Sequence, residues 1–226
     1  MARLRENYHH ELSDLQRELL ALGRMADEAV RRALWALRQG AVGEAEAIIR
    51  GDDIIDTATE ELTHHAMRII ATQGPVAGDL REVSSYLQCG GELERIGDYA
   101  EGIANLVVRS GGSLSAELPP EIDQMAVEAR AMLGQALDAL VALDPTINLR
   151  LKEHDDTVDD AYERLLVALT AAMQADPAMV VPGTLLLWVG HNLERIADRA
   201  TNIGEYVEYI VRGQISSRQD DPPAAP

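Results

Sequence analysis

Phenylalanine is absent from the 226 residues, aromatics make up only 4%, and there is one cysteine, Cys89. A lone thiol excludes an internal disulfide and any cysteine-based metal site, and it fits a reducing compartment. Basic residues are scarce too, with Lys+Arg 20 against Asp+Glu 38 and a formal net charge of −18. Phosphate backbones are gripped by basic stripes, so this balance argues against nucleic acid and toward cations or a basic protein surface as partners. Long apolar runs are missing as well. The best stretch, Met179 to Gly190, contains Pro182, Gly183 and Thr184 and falls well short of the roughly 20 residues that span a bilayer. The opening residues, Met1 to His10, carry no apolar segment of the secretory-signal kind. The expectation is a cytoplasmic protein without a transmembrane segment.

What is present is 46% apolar residue content, enough at this length to bury a core without metal or disulfide staples. Ala, Leu, Glu and Arg dominate, and their propensities favour helix over strand. From Leu12 the residues Leu15, Leu19, Leu22, Met25, Ala26, Ala29, Val30, Ala33, Leu34 and Leu37 recur at intervals of three and four, predicting a helix that ends near Gln39. A second run, Ile48 to Ile70, stops at Gly74-Pro75; a third starts near Asp79 and stops at Gly111-Gly112. Ser110 to Pro120 reads as a linker, because its glycine and proline pairs interrupt a helix. Three more runs follow, Ile122 to Leu143, about Ile147 to Gln174, and about Thr184 to Arg212. The fold class predicted is all-α, as two tandem three-helix bundles, residues 1–112 and 119–213. Residues 214–226 are expected to be a disordered tail.

Two sets of three helices suggest a duplication, and sliding the chain along itself finds one. At an offset of 103, Asp52, Asp53, Asp56, Glu60 and Leu62 fall on Asp155, Asp156, Asp159, Glu163 and Leu165. At an offset of 100, Leu93-Glu-Arg-Ile-Gly-Asp98 falls on Leu193-Glu-Arg-Ile-Ala-Asp198. Apolar matches follow from packing alone, so the carboxylates carry the information. Each half holds two pairs at four-residue spacing: Asp52 with Asp56 and Glu94 with Asp98, then Asp155 with Asp159 and Glu194 with Asp198. Glu60 and Glu163 extend the second-helix pairs by one turn and rank below them.

Residues four apart on a helix share a face, where like charges cost roughly 0.2–0.5 kcal/mol. A cation offsets that cost, and two such pairs on adjacent helices offer enough oxygens for one ion or a small cluster. On the third helices, Glu94 and Asp98 lie roughly 140–160° from the apolar stripe at 100° per residue, so they are expected to point outward. Asp52, Asp56 and Glu60 lie roughly 100° from theirs. The competing reading is a solvated acidic face without metal, the usual fate of helical acids.

A ferritin-type di-iron enzyme or storage protein is the alternative of another class. It needs inward glutamates and two Glu-x-x-His pairs. Only Glu61-x-x-His64 has that spacing, and the His64-His65 pair, unmatched in the second half, reads as surface histidine. His191 precedes Glu194 in the reverse order. No phosphate-binding glycine loop or nucleophile elbow occurs. Cys89 reads as packed, Trp35 and Trp188 as core or interface, and Arg95 and Arg195 as ion-pairing residues of a bundle or dimer contact.

The run Asn192-Leu-Glu-Arg-Ile-Ala-Asp-Arg-Ala-Thr-Asn-Ile-Gly-Glu205 resembles the second-repeat signature of the PhoU family of phosphate transport system regulators, and Glu92 to Asp98 resembles the first. Pro75-Val-Ala-Gly-Asp-Leu-Arg81 is similar to the turn that opens the family's third helix, and Tyr8-His-His-Glu-Leu to its start. The likeness runs from about residue 7 to 213. It implies two three-helix bundles with pseudo-twofold symmetry and a homodimer. It also implies outward acidic motifs that hold iron or zinc in some members and no metal in others. Carried over by position, the ligand candidates are Asp52, Asp56, Glu94 and Asp98, then Asp155, Asp159, Glu194 and Asp198. The implied role is non-enzymatic: restraint of the phosphate-starvation response by linking the ATPase of the phosphate ABC transporter to a membrane sensor histidine kinase. Two departures stand out. The Pro75 turn has no copy in the second half, and Arg199 stands where the family usually has histidine.

Overall fold

The structure, a computed structural model, describes residues 2–214. Seven α-helices make up the described chain: α1 (Ala2–Gln39), α2 (Val42–Gly51), α3 (Asp53–Gln73), α4 (Gly78–Arg109), α5 (Pro120–Ala142), α6 (Ile147–Ala175) and α7 (Val180–Arg212). Short 3-10 turns follow α4 and α6. There is no strand among the described residues, as the composition implies. Apart from Gln214, the tail expected to be disordered lies outside them.

The apolar positions read from the sequence form the core. Leu15, Leu19, Leu22, Val30 and Leu37 of α1 are buried with Leu62 and Ile69 of α3 and Leu93, Ile96 and Ile103 of α4. In the second half Met125, Leu133 and Leu140 of α5, Leu151 and Leu165 of α6, and Leu193, Ile196 and Ile203 of α7 do the same. Each such side chain stabilises the fold by about 1.5–3 kcal/mol on full burial.

Three boundaries differ from expectation, each for a local reason. The first helix begins at Ala2 rather than Leu12, and Tyr8, buried, donates from its hydroxyl to the Asp79 carbonyl at 3.1 Å. That bond ties the Tyr8-His-His motif to the turn that opens α4. The second helix is split at Asp52, since Gly51 is a poor interior helix residue and Asp52-Asp53 favour a helix start. Its counterpart α6, with His154 where α2 has Gly51, runs unbroken. The last helix begins at Val180 rather than Thr184, because a proline in a first turn sacrifices no intrahelical bond. The linker is also packed. Leu114 is buried in its 3-10 turn, and the backbone at Gly112 closes on that of Gly40, so close that a Cβ on Gly112 would lie 2.4 Å from the Gly40 carbonyl oxygen.

The two halves repeat each other in detail. Leu62 approaches Gly90 so closely that a Cβ there would sit 2.6 Å from its Cδ2, and Leu165 stands at the same 2.6 Å from a Cβ on Gly190. The halves meet along α4 and α7, which cross antiparallel. Asn202 donates to Glu92 at 3.1 Å, and in the reciprocal position a Cβ on Gly102 would meet the Asn192 Oδ1 at 3.0 Å. With an offset of 100 these are the same contact made twice, which is the signature of a self-complementary twofold interface.

The glycine contacts give the first test. Gly90→Val and Gly190→Val drive a side chain into a leucine that has no room to retreat, each lowering stability by about 1–3 kcal/mol. Thermal melts should fall by several degrees for both variants, whereas Gly91→Ala, where a Cβ meets nothing within 4 Å, should leave the midpoint level or slightly raised.

Candidate functional site

Asp52 stands at the break between α2 and α3, Asp56 in the first turn of α3, and Asp98 in the middle of α4. One carboxylate oxygen from each lies within 4.8 Å of the others. What lets the helices approach this closely is Gly97, next to Asp98. A Cβ there would lie 3.0 Å from Ile55 Cδ1 and 3.6 Å from Asp52 Oδ1. The start of α3 also supplies the positive end of a helix dipole, which favours carboxylates. Asp56 and Asp98 are exposed and Asp52 is half-buried, so the group faces outward as the helical phase predicts. Glu94 sits one turn before Asp98 and is partly buried.

The electrostatics are one-sided. No Lys, Arg or His nitrogen lies within ion-pairing distance of Asp52, Asp56, Glu94 or Asp98 among the described residues. Burial, then the negative charges of Glu101, Asp56, Asp98 and Asp53, push the Asp52 carboxyl up to about 6. Burial and its acidic neighbours hold Asp98 above the usual carboxylate range, and Glu94 likewise, with Arg95 giving a small opposing pull. Glu101 takes part without having been singled out in the sequence, and Asp53, matched to Asp156 in the repeat, takes part without having been a ligand candidate. Glu101 follows Asp98 by three residues and so shares its face, a signal that was there to be read.

The second half is arranged differently. Asp155 is buried rather than on an outward flank, because α6 continues unbroken and keeps that residue turned toward its neighbours. Asp159 is exposed. Arg195 donates to Asp198 at 2.8 Å, Arg199 lies 3.9 Å from the same oxygen, and His191 pairs with Glu194 at 3.2 Å. Glu60 and Glu163, the lower-ranked candidates, are both exposed and belong to no cluster of three potential ligands among the described residues.

Other candidates resolve plainly. His64 is exposed, but His65 is buried and shares a 2.9 Å hydrogen bond with Glu18, so the surface reading fails for it. Cys89 is fully buried, and burial raises its thiol pKa strongly, the opposite of an activated nucleophile. Trp35 and Trp188 are 48% and 55% exposed, which excludes a core role.

Three carboxylates with oxygens this close, unneutralised and solvent-facing, suit a hard or borderline cation. Ligand distances of about 2.0–2.6 Å place pairs of donor oxygens at separations of this order. The fold and these acids define an all-helical protein built as a duplicated bundle, with an outward acidic cluster in its first half. The chain belongs to the PhoU family: residues 19–107 and 122–207 each match the PhoU domain. It is 35% identical over 211 residues to the phosphate-specific transport system accessory protein PhoU homolog of Clostridium acetobutylicum, covering 93% of this chain and 96% of the relative. The homolog of the same name from Synechocystis is also 35% identical, covering 93% of each chain. Among solved structures, PhoU from Pseudomonas aeruginosa matches with a TM-score of 0.86 at 32% identity, over 92% of this chain and 100% of that one. The phosphate transport system regulatory protein PhoU from Streptococcus pneumoniae matches with the same TM-score, 0.86, at 28% identity.

The raised Asp52 carboxyl sets a pH dependence. Its folded form binds a proton more tightly than the unfolded chain does, so ionisation opposes folding. Stability is lost as pH rises from about 4 to about 6 and stays lower above that. In chelator-treated protein Asp52→Asn should raise the melting midpoint at pH 7.5 by about 2 °C, as fits well under 1 kcal/mol from a partly solvated charge. The same substitution should change nothing at pH 4.

Proposed function

We propose that this chain is an accessory regulator of a phosphate-specific transport system that restrains the response to phosphate starvation. In this reading it links the ATPase of the phosphate ABC transporter to a membrane sensor histidine kinase. The observation that carries the proposal is family membership across nearly the whole chain, together with curated relatives named as phosphate-specific transport accessory proteins. No described helix is long and apolar enough to cross a membrane; in this reading the chain acts from the cytoplasm and reaches the bilayer through its partners. The net charge of −18 suits docking on basic protein surfaces, with steering that weakens as salt rises. The exposed Trp35 and Trp188 are offered as contact residues for a partner or for the second copy of a homodimer.

In the same reading a divalent or trivalent cation, iron or zinc in the first instance, is held by Asp52, Asp56 and Asp98, with Glu94 completing the set. When bound it would cancel the repulsion among these acids and stiffen the α3–α4 contact. Ile55 and Leu62, packed on Gly97 and Gly90, hold α3 and α4 in register for this, and Gly97 keeps the helices close enough for acids from both to reach one ion.

Deleting the gene should derepress phosphate-responsive transcription in phosphate-replete medium, and re-expression should restore repression. Unchanged transcription would overturn the regulatory reading. Elemental analysis of protein purified without chelator should find metal in the wild type and its loss in Asp56→Ala with Asp98→Ala. Equal metal content in both would sink the ligand assignment.

A further inference from the structure

The two acidic sets occupy matching places in a duplicated fold, yet several substitutions between the halves change what surrounds them, and three of these carry the argument. Glu92 becomes Asn192, Tyr99 becomes Arg199, and Gly51 becomes His154. The first change redirects an arginine. In the first half Arg95 turns back to Glu92, three residues before it, at 3.4 Å, so that no cationic nitrogen lies within ion-pairing distance of Asp98 among the described residues. In the second half position 192 carries an uncharged amide that donates to the Trp188 carbonyl at 2.8 Å. Arg195 therefore reaches forward instead, to Asp198 at 2.8 Å.

The second change adds a cation and sends it across the seam. Arg199 lies 3.9 Å from Asp198 through one terminal nitrogen and 3.1 Å from Glu92 through the other. Glu92, only 6% exposed, also accepts from Asn202. A buried carboxylate is tolerable only when paired and hydrogen-bonded, and it is here. A continuous chain thus runs from Arg195 through Asp198 and Arg199 on α7 to Glu92 and Arg95 on α4. The third change keeps α6 straight and buries Asp155, and His191 engages Glu194. An incoming ion would have to displace two guanidinium groups, one of which also bridges α7 to Glu92 on α4.

We propose that the second acidic set is a guanidinium-closed latch joining α7 to α4 through Glu92, and that only the first set is open to a divalent cation. The cation half rests on the metal reading above; the latch half does not.

Two measurements on the full chain separate these. Equilibrium dialysis of chelator-stripped protein against Mn2+ reads the open set. Asp98→Asn should weaken Mn2+ binding at least tenfold, whereas Asp198→Asn should leave it within twofold. Replacing both Arg195 and Arg199 with Gln should add a second load. Equal losses from Asp98→Asn and Asp198→Asn would overturn the non-equivalence. Absence of Mn2+ binding in the wild type would overturn the cation half together with the metal reading, with the latch decided separately. For the latch, thermal melts of Arg199→Gln, Glu92→Gln and the double variant form a cycle. Arg199→Gln should lower the midpoint by about 5 °C, since it strips a buried carboxylate of one partner. The double variant should lose clearly less than the sum of the singles. Additive losses would overturn the latch even if only the first set binds Mn2+.

Discussion

The antiparallel crossing of α4 and α7 is the contact on which the rest of the molecule depends. Each of these helices belongs to its own bundle on one side and to the twin helix on another. A helix used on two sides has one remaining face, and Glu94, Asp98, Glu194 and Asp198 are on or beside it. The outward direction of the acids therefore follows from the way the halves are joined. It also explains why a ferritin-type centre cannot form here, since such a centre needs its ligands in the interior that leucine, isoleucine and alanine already fill.

Close approach is the second constraint. Gly90 and Gly190 admit Leu62 and Leu165, and Gly97 admits Ile55 and Asp52. Glycine inside a helix weakens it by roughly 0.5–1 kcal/mol relative to alanine, so these positions sacrifice propensity for proximity. In the first half the proximity crowds carboxylates together, an arrangement unfavourable in isolation that makes sense where a cation or a basic surface is to be met. In the second half Ala197 stands where the first has Gly97, and arginines rather than open space surround the motif acids.

A duplicated protein need not use both copies alike. Once two equivalent clusters exist, either can drift toward a structural role provided the seam is kept, and one charge gained at position 199 does both jobs here. That asymmetry gives each bundle a distinct electrostatic face at similar shape.

Much of this was legible from residue order alone. The period of three and four gave the helices, the offsets of 100 and 103 gave the duplication, and helical phase gave the outward direction of Glu94 and Asp98. Asp155, Trp35, Trp188 and His65 were not legible in the same way. Phase locates a side chain about its own helix axis but does not say which neighbour covers that side, so Asp155 and His65 came out buried and both tryptophans exposed. Pairing is harder still. Arg95 and Arg195 sit in near-identical local sequence, yet one turns backward and the other forward. The choice depends on a partner three residues away and on a helix from the other half, and those come together only when the chain is folded.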